Sequence, residues 1–277
     1  METNIILCGV GGQGILSISV VIDMAALKVG LQFKQAEVHG MSQRGGEVIS
    51  HLRVADHPVH SDLVPKGAGT LVLSVEPLES LRYVDFLSPD GAVVTAAEPF
   101  VNIPDYPEAS QVLEAVAKLK THVLVPADGL AREAGTAKAA NMVLLGAASP
   151  FLGIQDDVLE KAIEELFARK GEKVQKTNVG AFRAGKAAGE AYRACLKAEM
   201  PSRAARALVG RLAKGVLSPN AVPHWKALFA SPLGEDVIAA LEAKGTDRVK
   251  GEADLPKELL AVGKAGKIAE MLFAKAA

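Results

Sequence analysis

Residues 4–14 read NIILCGVGGQG, and this stretch decides the fold. The first five residues are apolar enough to form a short buried strand, and the glycines that follow favour a tight turn. From Ile15 to Lys28, apolar residues recur at helical spacing, and Gly30 is a reasonable end for that helix. The stretch therefore predicts a strand, a glycine-rich turn and a helix in succession.

The same alternation continues along the chain. Further strands are predicted over residues 31–38, 47–54, 70–75, 92–95 and 122–126. Helices are predicted over residues 76–84, 110–119, 139–148, 155–167 and 178–198, and Asp128 is expected to cap one more. Strands that alternate with helices favour an α/β fold with a doubly wound, mostly parallel Rossmann-like sheet and right-handed crossovers.

A change in composition near Met200 and Pro201 suggests a second region. Beyond it the sequence contains helical segments interrupted by prolines, with no clear strand. We therefore predict two domains, a catalytic-type α/β domain over residues 1–199 and a helical C-terminal extension over residues 200–277.

Composition narrows the class of protein. The chain has 277 residues and a formal net charge of −1, without the basic excess that is typical of nucleic-acid binders. It contains no run approaching the roughly 20 apolar residues of a membrane helix. It also begins without the basic and apolar segments of a secretory signal. We expect a cytoplasmic protein that binds neither nucleic acid nor membrane.

The cysteines limit the redox chemistry. An iron–sulfur cluster is typically held by about four thiolates, and the chain has two cysteines, Cys8 and Cys195. Cys8 follows apolar residues and is expected to be buried. The six histidines are scattered, without the spacing of a zinc site, so we expect no intrinsic metal site.

The glycine-rich turn is a candidate phosphate site. Gly9, Gly11 and Gly14 have the spacing of a dinucleotide-binding turn, where the backbone and a helix N-terminus approach a phosphate. Glu37, at the end of the second strand, could then bind an adenine ribose. Gly12 and Gln13 weaken a plain NAD interpretation, and a tight turn without a nucleotide remains an alternative.

A second loop, residues 39–46, reads HGMSQRGG and follows the second predicted strand. In a doubly wound sheet this is the edge where ligands bind. Arg44 beside two glycines can form an anion site, with backbone N–H groups supporting the guanidinium. The alternative is a solvated turn with a surface arginine.

Together, the two loops resemble the beta subunit of indolepyruvate:ferredoxin oxidoreductases and, more broadly, the gamma domain of pyruvate and 2-ketoisovalerate ferredoxin oxidoreductases. The residues that carry the resemblance are the GGQG turn at 11–14 and the segment from Glu37 to Gly46. Asn141 and Asn178 are similar to later features of the family. The resemblance covers roughly residues 1–195.

The resemblance implies a subunit of an oxidative decarboxylase. In such enzymes a 2-oxoacid loses CO₂, its electrons pass to ferredoxin, and coenzyme A takes the acyl group. Thiamine diphosphate and [4Fe–4S] clusters would belong to a larger alpha subunit, because this chain lacks a thiamine-diphosphate motif and enough thiols. We expect no catalytic acid or base here, and activity only in the complex.

The candidate cofactor-binding residues all come from the two loops, apart from one later asparagine. They are Gly9, Gly11, Gly12, Gln13, Gly14, His39, Ser42, Gln43, Arg44, Gly45, Gly46 and Asn141.

Several alternatives stay open. The chain could be a gamma subunit of the pyruvate or ketoisovalerate type, an NAD(P)-dependent oxidoreductase, or a non-enzymatic nucleotide-binding subunit. A near-match to a P-loop runs from Gly180 to Lys186, but Ala187 replaces the hydroxyl that would bind magnesium, so we interpret it as plain helix. The Lys/Glu-rich segment over residues 160–173 is interpreted as solvated surface.

Overall fold

The computed structural model describes residues 1–39, 45–211, 222–230, 232 and 234–242. The chain divides into two compact units, residues 1–186 and 187–277, and the division falls within a long helix. The domain boundary near residue 199 stays a prediction.

Six strands of the first unit form one sheet. They are β1 (Glu2–Val10), β2 (Gln32–His39), β3 (Glu47–Ala55), β4 (Gly69–Ser74), β5 (Leu87–Ala96) and β6 (His122–Val125). Their order is β2-β3-β1-β4-β5-β6, and β1, β4, β5 and β6 run parallel. The predicted α/β fold with a mostly parallel sheet is confirmed.

The third strand changes the expected start of the fold. β3 pairs antiparallel with both β1 and β2, and so lies between them. β1 and β2, which flank α1 in the sequence, are therefore not neighbours in the sheet. Because neighbouring strands are about 4.8 Å apart, β2 lies about 10 Å from β1.

The helices follow the predicted order. In the first unit they are α1 (Ile15–Lys28), α2 (Pro77–Arg82), α3 (Ala109–Ala117), α4 (Ala127–Ala134), α5 (Ala140–Ala148), α6 (Asp156–Leu166) and the beginning of α7 (Glu172–Lys197). The second unit continues α7 and adds α8 (Ser202–Arg211), α9 (Val222–Phe229) and α10 (Gly234–Glu242). Short 3₁₀ helices cover Val84–Phe86, Ala137–Ala139, Ser149–Phe151 and Ala168–Lys170.

Two helix starts differ from the prediction. Asp128 does not cap α4, because Pro126 occupies the N-cap and Asp128 lies in the first turn. The helix expected from residue 178 already begins at Glu172, after Gly171 ends the preceding 3₁₀ helix with a φ of +91°.

The core of the first unit lies on both sides of β1. Ile5, Ile6 and Leu7 are fully buried in that strand. All of α5 from Asn141 to Ala148 is buried as well, so this helix packs inside the unit rather than on its surface. A helix without a polar face is typical of such a buried position.

α5 and α7 approach each other at two glycines. A Cβ on Gly146 would lie 1.9 Å from the Phe182 carbonyl oxygen, and one on Gly185 would lie 1.8 Å from the Val143 carbonyl oxygen. Neither position has room for a side chain. Residues 180–186 lie inside α7, so the near-match to a P-loop is helix, as interpreted from the sequence.

The second unit has its own packing. Trp225 is fully buried and stacks on Phe229 with ring centroids 5.7 Å apart. Arg203 forms an ion pair of 2.8 Å with Glu242, and the hydroxyls of Tyr192 and Ser202 are hydrogen-bonded at 2.5 Å. Within the described parts of the chain, no helix combines the length and apolar character needed to cross a bilayer.

Candidate functional site

The glycine-rich turn joins β1 to α1 and ends at a residue that must be glycine. Gly14 is the N-cap of α1 with a φ of +82°, a conformation that costs other residues free energy. Its carbonyl oxygen accepts hydrogen bonds from the Ser17 N–H at 3.0 Å and from Asn141 Nδ2 at 3.1 Å. A Cβ on Gly14 would lie 2.6 Å from that Nδ2. The turn is thus anchored to α5.

Gln13 closes the turn from inside. Its Oε1 accepts a hydrogen bond from the Val10 N–H at 2.8 Å, and its own N–H donates to the Val10 carbonyl oxygen at 3.2 Å. The amide that weakened the NAD interpretation is therefore part of the turn. Gly9 is also structural, because a Cβ there would lie 2.2 Å from Val75 Cγ2.

Part of the second loop meets the turn. The Gly11 N–H donates to the Gly46 carbonyl oxygen at 2.8 Å, and Asn102 Nδ2 donates to the Gly45 carbonyl oxygen at 2.9 Å. Three loops therefore gather at the carboxyl ends of β1 and β5. The predicted residues Ser42, Gln43 and Arg44 and the side chain of His39 lie outside the described part of the structure.

A cavity of about 850 Å³ opens beside the turn. Of the predicted site residues, Gly12, Gln13, Gly14 and Asn141 line it. Gly9, Gly11, Gly45 and Gly46 instead support the surrounding backbone, as described above.

One part of the cavity wall is basic. Lys138, Lys170 and Lys173 line it, from the 3₁₀ helices before α5 and α7 and from the first turn of α7. Lys170 Nζ lies 5.2 Å from the centre of the Phe167 ring, which also lines the cavity. Lys170 and Lys173 fall in the segment 160–173 that was interpreted as solvated surface, and Lys138 was not among the site residues predicted from the sequence. In the sequence, Gly171 lies between Lys170 and Lys173, and Gly135 lies three positions before Lys138. These glycines were the signal that could have marked the lysines as site residues.

The sheet edge supplies an acidic part of the wall. Glu98, just after β5, accepts a hydrogen bond through Oε2 from the Ala127 N–H at 3.0 Å, at the start of α4. Burial, together with the charge of Asp128, raises the pKa of Glu98 to about 7, against backbone N–H groups that lower it. Glu98 and Asp128 both line the cavity. A carboxyl group of raised pKa in a cleft is a candidate functional group that the sequence analysis did not select.

The loop after β5 forms an apolar rim. Glu76 caps α2 by accepting from the Glu79 N–H, and it also accepts from the Phe100 N–H at 3.3 Å and from the Tyr106 hydroxyl. Phe100 and Val101 are nevertheless 46% and 68% exposed. The loop is held firmly while two large apolar side chains face solvent.

The two thiols do not suit metal binding. Burial raises the pKa of Cys8 to about 12 and that of Cys195 to about 11, so neither is a thiolate near neutral pH. Where the structure describes the chain, it contains no group of three or more His, Cys, Asp or Glu side chains arranged for a metal ion.

Residues 4–188 match the sequence model of the family described as pyruvate ferredoxin/flavodoxin oxidoreductase. The chain belongs to this family. The match includes the glycine-rich turn, the second loop and every residue that lines the cavity.

Two relatives named as indolepyruvate oxidoreductase subunits are similar over most of their own length. The chain is 40% identical to the indolepyruvate oxidoreductase subunit IorB of Pyrococcus horikoshii over 154 residues, which are 53% of this chain and 76% of that one. It is 34% identical to the subunit of the same name from Methanothermobacter thermautotrophicus over 192 residues, 67% of this chain and 96% of that one.

Solved structures share the fold. The pyruvate oxidoreductase subunit PORC of Thermotoga maritima superposes with a TM-score of 0.52 at 23% identity, over 67% of this chain and 95% of that one. The chain superposes on the 2-oxoglutarate:ferredoxin oxidoreductase of Magnetococcus marinus with a TM-score of 0.57 at 23% identity. That structure was solved with 2-oxoglutarate, coenzyme A and succinyl-CoA bound. There the likeness covers 69% of this chain and 31% of the other.

Proposed function

We propose that the chain is the small, cluster-free subunit of a coenzyme-A-dependent 2-oxoacid:ferredoxin oxidoreductase of the indolepyruvate type. The observation that carries the proposal is the likeness to four subunits named IorB, at 34–40% identity. Relatives with other names are less similar, at 30% for the ketoisovalerate subunit VorA and 27% for the 2-oxoglutarate synthase subunit KorC. This ranking favours an arylpyruvate over pyruvate or ketoisovalerate as the 2-oxoacid.

A larger partner subunit completes the enzyme. The two buried thiols do not fit an iron–sulfur cluster, and the sequence has no thiamine-diphosphate motif. Thiamine diphosphate and [4Fe–4S] clusters in the partner supply decarboxylation and electron transfer to ferredoxin. The exposed Phe100 and Val101 beside the cavity are suited to contact with that partner, since apolar side chains on a rigid loop favour burial.

The cavity of this chain receives coenzyme A. Phosphate groups are bound by lysine side chains and by backbone N–H groups at a glycine-rich turn, and the three lysines and the turn residues Gly12 and Gly14 line the cavity. Arg44 stays a predicted contributor to the same anion site.

The sheet topology argues against an NAD(P)-dependent enzyme. In a dinucleotide-binding fold the acidic residue that binds the ribose ends the strand next to the glycine turn. Here β3 separates β2 from β1, and Glu37 Oε1 accepts a hydrogen bond from Gln35 Nε2 at 3.1 Å. Glu37 is therefore too far from the turn for that role.

Purification and kinetics test the proposal. A tagged chain should co-purify from its native source with a protein that carries thiamine and cluster motifs, and the complex should oxidise indolepyruvate or phenylpyruvate faster than pyruvate. Replacing Lys138, Lys170 and Lys173 together with Ala should raise the KM for coenzyme A at least about tenfold, because charge-assisted hydrogen bonds are lost. The KM for the 2-oxoacid should not change.

The Lys118→Ala variant is the matched control, since Lys118 is exposed at the end of α3 and does not line the cavity. Arg44→Ala should also raise the KM for coenzyme A while the chain stays folded. A chain that purifies without such a partner, or a triple variant with unchanged KM for coenzyme A, would contradict the proposal.

A further inference from the structure

Two acidic residues, Glu98 and Asp128, line the cavity. The Glu98 carboxylate lies on the first N–H group of α4, where a helix attracts negative charge, and Asp128 follows in the same turn. The lysines of the cavity come instead from the helical wall, at 138, 170 and 173. The cavity is thus acidic at the sheet edge and basic at the helical wall.

We infer that Glu98 is a specificity-determining residue that competes with phosphate groups for the α4 end of the cavity. It confines them to the lysines, so that an anionic ligand binds more tightly when Glu98 is neutral. This inference rests on the proposed binding of coenzyme A, and it deepens it by adding a dependence on pH.

Charge gives the direction of that dependence. A bound phosphate beside the carboxyl group disfavours the ionised form of Glu98, so ligand binding takes up a proton. The pKa of Glu98 in the free chain is raised to about 7, chiefly by burial, which places the change in affinity within the physiological range.

Titration calorimetry of the full chain with coenzyme A tests the inference. At pH 8 the Glu98→Gln variant should bind up to about tenfold more tightly than the wild type, which corresponds to a change of about one pKa unit on binding. At pH 5.5, where Glu98 is neutral, the two should bind alike. Since the phosphates of coenzyme A also titrate, the variants are compared with each other at each pH.

Two further variants sharpen the experiment. Asp128→Asn removes the like charge that raises the pKa of Glu98, so it should move the change in affinity to lower pH. Glu114→Gln makes the same change in charge as Glu98→Gln on the exposed face of α3, away from the cavity, and should bind like the wild type at both pH values.

The outcomes separate the two proposals. Saturable binding of coenzyme A with equal Kd for wild type and Glu98→Gln at pH 8 would overturn the role of Glu98 and leave the proposed function standing. If neither chain bound coenzyme A at either pH, the inference would be wrong. The oxidation of 2-oxoacids by the complex would then decide the proposed function separately.

Discussion

At the scale of single residues, Asp23 combines burial with a negative neighbour. It lies on α1, and its Oδ1 is a buried atom without a hydrogen-bond partner. Burial and the charge of Glu37 raise the pKa of Asp23 to about 7. Gln35 Nε2 contacts Glu37 Oε1 and also the Ser19 and Ser50 hydroxyl oxygens, each at 3.1 Å. These polar side chains form a cluster around Glu37.

We expect Asp23→Asn to stabilise the protein at neutral and alkaline pH. The unfolded chain releases the Asp23 proton near pH 4, whereas the folded chain keeps it up to about pH 7, so wild-type stability falls as pH rises between these values. After allowance for solvent screening, the free energy of unfolding of Asp23→Asn at pH 8 should exceed that of the wild type by about 1–2 kcal/mol.

Urea unfolding at pH 5 and pH 8 measures this effect. The advantage of Asp23→Asn should be larger at pH 8 than at pH 5. Asp105→Asn, on the exposed loop after β5, makes the same chemical change and should show no such trend. An advantage that is equal at both pH values would show that Asp23 does not retain its proton on folding.

At the scale of elements, the contact of α5 with α7 depends on glycine in a way that helix propensity does not predict. Gly180 and Gly185 lie in the same helix, but a Cβ on Gly180 would meet nothing within 4 Å, whereas one on Gly185 would collide with the Val143 backbone. The two glycines are therefore a matched pair in which only the packing differs.

Gly180→Ala and Gly185→Ala should change stability in opposite directions. Alanine stabilises a helix by about 0.5–1 kcal/mol relative to glycine, so Gly180→Ala should raise the melting temperature. Gly185→Ala should lower the free energy of unfolding by about 2–3 kcal/mol, because the backbones of α5 and α7 must move apart to make room for the Cβ. Thermal unfolding followed by circular dichroism measures both. Two variants with the same sign of effect would contradict this account of the helix contact.

At the scale of the whole molecule, the cavity and the family match lie in the same part of the chain. The family match ends at residue 188, close to the division between the two compact units at residues 186 and 187. The cavity belongs to the first unit, and the residues described in the second unit lie mostly in helices, with Trp225 fully buried.

The purified chain should be colourless and inactive with 2-oxoacids. Neither thiol is exposed or ionised near neutral pH, so we expect no iron–sulfur absorption near 400 nm. Adding the separately purified partner should produce 2-oxoacid-dependent reduction of ferredoxin. The partner assayed alone is the control, and full activity there would show that this chain is not required.

Much of the fold was determined by the sequence itself, because helices and strands depend on contacts between neighbouring residues. Apolar spacing placed α1 at residues 15–28 as observed, and glycines marked the turn at residues 9–14. The presence of two cysteines in the sequence was likewise enough to predict that a partner holds the iron–sulfur clusters.

Only the tertiary structure decided the strand order and the charges of the cavity. β3 lies between β1 and β2 because of hydrogen bonds between strands, which local hydrophobic patterns do not specify. Glu98 and Lys173 line one cavity although 75 positions separate them in the chain, since the carboxyl ends of β5 and β6 and the start of α7 meet there. Spacing along a sequence reveals local structure, whereas a binding site depends on which distant segments pack together.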